Sequence, residues 1–145
     1  MQKLPPIEKF YEAYSAVADG RVEMNEYGSQ GSARVRSSDG TKVYDVTWKP
    51  DGSYSSTDNA TRWQRYPGYP ILAVMMLRGQ LPYDQDVALQ FSDVNWTQLN
   101  NTYRRDYAAA VDSVIAERGI DPLPVHEAAA AAYAHLQTFP WKVAR

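Results

Sequence analysis

The sequence predicts an α+β fold, a single domain over residues 1–145. An N-terminal helix precedes a four-stranded antiparallel β-meander, and three to four C-terminal helices pack on one sheet face. Three observations carry this expectation. Apolar residues recur at helical steps up to Gly20, at every second residue from Arg21 to Thr57, and at helical steps again thereafter. Asp39-Gly40 and Pro50-Asp51-Gly52 punctuate the middle segment as hairpin turns. A length of 145 residues with 44% apolar and 22% charged residues suits one globular core.

The first helix is marked by Ile7, Phe10, Tyr11, Tyr14, Val17 and Ala18, which form one stripe. Pro5 and Pro6 precede it and Gly20 ends it. The stripe needs a surface to cover, and the strands that follow would supply it.

Within SARVRSSDGTKVYDVTW, a two-residue type I′ turn at Asp39-Gly40 sets Ser38 opposite Thr41. Val35 then faces Tyr44, Ala33 faces Val46, and Arg34 meets Asp45 on the other face. A one-residue slip would scatter the apolar set Ala33, Val35, Tyr44, Val46 and Trp48 over both faces. The second turn, with Gly52 left-handed, lays Tyr54 opposite Trp48. Arg21 to Tyr27 supplies the preceding strand.

After Thr57, Asp58-Asn59 opens a loop that carries TRWQRYPGYP. Pro70 suits the first turn of a helix, because its missing N–H would have been unpaired there. Ile71 to Leu77 is apolar nearly all round, which predicts a central helix ending near Gly79. A short helix follows from Asp84 to about Phe91, then a long one from about Trp96 to Arg118 capped by Gly119-Ile120. A last, alanine-rich helix covers about Val125 to Leu136.

Several chemistries lack their residues. With no cysteine there is no disulfide, thiolate metal site or cysteine nucleophile. His126 and His135 are nine residues apart, and alanine occupies position 130, where a zincin helix carries its second histidine. No metal and no cofactor are expected. The run Gly28 to Ser32 lacks both the nucleophile elbow and the lysine of a phosphate loop. The longest apolar run, Ile71 to Leu77, is too short for a membrane span, and the start of the chain lacks a secretory h-region, so a bacterial cytoplasmic protein is expected. A net charge of -2 argues against a surface that coats nucleic acid or membrane by charge alone.

What stands out is the stretch from Thr61 to Leu77. Between Asp58 and Asp84 there is no acidic residue, yet Arg62, Arg65 and Arg78 lie there, interleaved with Trp63, Tyr66 and Tyr69. Arg104 and Arg105 add to them from the long helix. Rings beside guanidinium groups stack and pair with a partner's carboxylates, with phosphates or with bases. The plainer reading is that the arginine stems cover apolar surface while their heads stay in water. The binding set is therefore Arg62, Trp63, Arg65, Tyr66, Arg78, Arg104 and Arg105. Its leading use is recognition of another protein by a non-enzymatic module, because tyrosine, tryptophan and arginine concentrate interface energy and the chain holds 11 tyrosines and 4 tryptophans. The alternative is anion or nucleic-acid binding through the basic segment 62–78, and an enzyme gathering Asp45, His126 or Tyr83 is a distant third. For the stretch itself, Tyr69 is expected to be buried while Arg62, Trp63 and Arg65 keep some exposure.

Overall fold

The computed structural model describes residues 2–144. Strands β1 (Val22–Tyr27), β2 (Gln30–Arg36), β3 (Val43–Trp48) and β4 (Ser53–Ser56) form the antiparallel meander in chain order. A fifth strand, β5 (Lys142–Val143), pairs parallel to β4. Two residues are too few to carry a readable alternation, which is why the sequence predicts only four strands. Val35 pairs with Tyr44, Ala33 with Val46, Arg34 with Asp45 and Trp48 with Tyr54, the register expected from pattern and turns. Ala33, Val35, Val46, Trp48 and Tyr54 are buried on the inner face, whereas Arg34 and Asp45 are open to solvent.

The turn between β2 and β3 differs from the expected type I′ form. Gly40 is left-handed at φ +77°, but Asp39 is not. The Gly40 N–H donates to Ser37 O and the Ser37 N–H to Lys42 O, closing a four-residue loop. Asp39 drives the change, because its carboxylate accepts from the Thr41 N–H, the Ser37 hydroxyl and the Thr41 hydroxyl. The Thr41 N–H and then the two hydroxyls hold its carboxyl down at about 2. The longer loop is symmetric about the same centre, so the register survives.

The helices are layered differently from the expectation that the first one covers the strands. Helix α2 (Tyr69–Leu77) lies on the sheet, against β1, β3 and β4. Helix α1 (Lys9–Ala18) packs on α2 from the other side and is itself covered by α3 (Gln85–Leu89) and α6 (Pro122–Thr138). This explains why α2 is apolar all round: it has the sheet on one side and a helix on the other. It also encloses α1, whose residues Lys9 through Ala16 are all buried, the charged Lys9 and Glu12 among them.

The expected long helix is two helices, α4 (Trp96–Thr102) and α5 (Tyr107–Arg118). Between them Arg104 and Arg105 adopt left-handed φ of +51° and +66°. Asn100, Asn101 and Thr102 are poor helix formers, and the Asp106 carboxylate accepts from the Ala109 N–H as the cap of a new helix. Among the described residues five α-helices thus follow β4, one more than the upper expectation. The last also starts earlier than expected, at Pro122, since both prolines fit the first turn that Asp121 caps.

Candidate functional site

The chain leaves β4 through a π-helical turn, Ala60–Gln64, which ends at a left-handed Arg65 with φ +64°. Asp58 builds this turn. Its buried carboxylate accepts from the Ser56 hydroxyl, the Thr61 N–H at 3.0 Å and the Thr61 hydroxyl at 2.9 Å. Thr61 Oγ1 in turn accepts from the Gly68 N–H at 3.1 Å, closing the loop on itself. A Cβ at position 68 would come within 2.9 Å of Asp58 Cγ, so only glycine permits this approach. The buried base throws the tip outward: Trp63 is 70% exposed, with the Arg62 guanidinium 5.4 Å from its ring centroid.

Between this turn, α1 and the α4–α5 break lies a cleft of about 420 Å³. Trp63 and Tyr66 line it from the turn and its exit, Tyr44 from β3 and Tyr69 from α2. Trp96 and Asn100 line it from α4, and Tyr107 from α5. A buried ion pair from α1 also lines it, with Lys9 Nζ 3.0 Å from Glu12 Oε2 and 3.9 Å from the Tyr107 ring centroid. Burial acts to lower the Lys9 pKa, but the Glu12 carboxylate, and after it the Tyr107 hydroxyl, outweigh it and the net shift is upward. Burial also raises the hydroxyl pKa values of Tyr44, Tyr66 and Tyr69. Among the described residues, Trp96 Nε1 and Asn100 Oδ1 are buried without a hydrogen-bond partner. Unpaired buried polar atoms of this kind are costly in a fold and call for a reason.

The residues singled out by sequence are divided by the structure. Trp63, Tyr66 and Arg105 line the cleft. Arg62 and Arg65 are exposed on the outer side of the same turn, beside Ser55 and Ala144. Arg104 is exposed at the helix break and does not line the cleft. Arg78 does not join them: its guanidinium lies 4.7 Å from the Trp48 ring centroid, donates to Tyr54 Oη at 2.6 Å and faces Glu26 at 3.9 Å. Within the opening stretch, Tyr69 is only half-buried and Tyr66 is the more enclosed ring, at 7% exposed. Lys9, Glu12, Asp58, Trp96 and Asn100 are site residues that sequence reasoning passed over.

Asp45, His126 and Tyr83 do not line the cleft. His126 Nδ1 is 2.6 Å from Tyr11 Oη, and His135 stacks on Phe139. Among the described residues no group of three or more histidine and acidic side chains is placed to hold a metal ion, and no helix is long and apolar enough to cross a membrane. No curated protein and no solved structure matches the chain. A family model does, over residues 2–142, and the chain belongs to the family described as Uncharacterised conserved protein UCP014422.

Proposed function

We propose that the protein is a non-enzymatic module that recognises another protein through the rim formed by Arg62, Trp63 and Arg65. Trp63 carries this reading: it is 70% exposed, on a turn fixed from below by the Asp58 hydrogen bonds. A tryptophan on a backbone turn that is already fixed, beside a guanidinium, has less conformational freedom to lose on docking, and these side chains dominate interface energetics. The amine of the cleft, Lys9, is paired with Glu12 and its pKa is raised on balance, which keeps it a protonated cation and not the free amine that covalent catalysis needs. Anion or nucleic-acid binding ranks second, because Arg78 is engaged with Trp48 and Tyr54 instead of adding its charge to Arg62 and Arg65.

The test is capture on the immobilised protein at ~0.05 M and ~0.5 M salt, with Trp63→Ala in parallel. The reading expects a protein partner that is retained at high salt and lost with the variant. Capture that collapses with salt and ignores Trp63→Ala would instead favour phosphate-driven binding.

A further inference from the structure

We propose that the cleft beneath the rim, which shares Trp63 with it, is a small-ligand site for an uncharged, planar heteroaromatic ring with a hydrogen-bond donor and acceptor on its edge, the chemistry of a nucleobase. Three features converge on this class. The lining is largely aromatic: Trp63, Tyr66, Trp96 and Tyr107 border a volume of about 420 Å³, within the range of small-molecule pockets, and Trp63, at 70% exposed, is the ring most open to stacking. Aromatic side chains stack on any base because every base has a π-face.

The polar groups include both donors and acceptors. Lys9 uses one N–H on Glu12 and turns toward the Tyr107 ring, and an ammonium has three donors to give. The Glu12 carboxylate can accept beyond the single bond from Lys9. Trp96 Nε1 and Asn100 Oδ1, one helical turn apart on α4, are unpaired and closed to water, and a ring edge reaches them by a turn of the half-buried Asn100 side chain that borders the cleft. A ring edge carrying both functions would satisfy groups the fold leaves unpaired.

Charge excludes the other classes. Lys9 and Glu12 neutralise each other, and Asp58 is consumed by Ser56 and Thr61. A phosphate would find only exposed Arg105, and a cation would meet Lys9. The neutral nucleoside is therefore preferred over its phosphate. The same ring could arrive as a free nucleoside or as a base in a single strand.

The experiment is calorimetric titration of the whole protein with adenosine, uridine, AMP, a short single-stranded oligoadenylate, indole and maltose. At least one nucleoside or the oligonucleotide is expected to saturate, while indole, which lacks an edge acceptor, and maltose, which lacks a π-face, do not. Binding of the free nucleoside identifies a soluble ligand, and binding of the oligonucleotide alone identifies a strand. Asn100→Ala and Trp96→Phe should each weaken the titration about five- to tenfold, the worth of one hydrogen bond. Asn100→Ala should do so without lowering the melting temperature, since it removes an unpaired acceptor from a helix. Saturation by indole to the same degree, AMP binding tenfold tighter than adenosine, or no saturable probe would each overturn the proposal. None of these probes requires the protein partner, so failure here leaves recognition by the rim standing.

Discussion

Lys9 Nζ lies 3.0 Å from Glu12 Oε2, and the two side chains are only 10% and 5% exposed. An ion pair so enclosed is stable as a pair and costly when broken, because the partner left behind is a buried, uncompensated charge. Glu12→Ala should therefore destabilise the protein by about 3–5 kcal/mol, measured by urea unfolding. Lys9→Met with Glu12→Leu should come back to within about 1 kcal/mol of the parent or exceed it. A Glu12→Ala cost below about 1 kcal/mol would mean that Lys9 escapes to solvent.

Two glycines separate steric crowding from backbone strain. At Gly68 a Cβ would meet the Asp58 carboxylate that organises the π-turn, so Gly68→Ala should cost about 1–3 kcal/mol. At Gly40 a Cβ would meet nothing, yet φ is +77°, so Gly40→Val should cost about 1–3 kcal/mol from strain alone. Thermal unfolding reads both. An unchanged melting temperature for Gly40→Val would contradict the left-handed turn.

The protein should lose stability in alkali. Burial raises Tyr11 to about 12 and raises Tyr44, Tyr66 and Tyr69 as well. A folded-state pKa above the unfolded one means that the native state holds the proton more tightly. The stabilisation is complete below the unfolded tyrosine value near ~10 and is lost as pH rises through the folded values. Lys9, raised on balance by Glu12 against the effect of burial, adds loss in the same direction. Urea midpoints should be level from about pH 7 to 9 and fall between about pH 10 and 12. A flat profile to about pH 12 would show that these hydroxyls are already solvated.

The sheet was legible because two independent signals, turn residues and period-two alternation, had to agree on one register, and Val35 opposite Tyr44 satisfies both. The turn type was not, because Asp39 closes its loop with side-chain hydrogen bonds that alternation does not register. The layering was half legible: an all-round apolar α2 announces two covered sides but not which elements cover them. The helix break carried a readable signal in Asn100-Asn101-Thr102 followed by Asp106 as a cap, outweighed by an apolar stripe that runs on from Trp96 to Val114. Of the site, Trp63, Arg62 and Arg65 were visible as an anomaly of composition. Lys9 and Glu12 were not, because charged residues on an amphipathic helix are assigned to solvent, and only the enclosure of α1 reverses that. Asp58 with Thr61 three residues on is a readable capping pair, but nothing local tells that it serves a π-turn.

The recognition proposed here rests on residues 62 to 65 forming an exposed tip that adds little to the fold, above a buried base of Asp58, Thr61 and Gly68 that does hold it. The most direct measurement pairs the melting temperature of Arg62→Ala/Trp63→Ala/Arg65→Ala with its affinity for the captured partner. The three side chains are exposed at the tip, so stability should change by no more than about 1 kcal/mol, while affinity should fall at least about thirtyfold, the loss of one hot-spot residue. A large drop in melting temperature with affinity intact would contradict the account, making the tip a structural element and placing recognition elsewhere on the molecule.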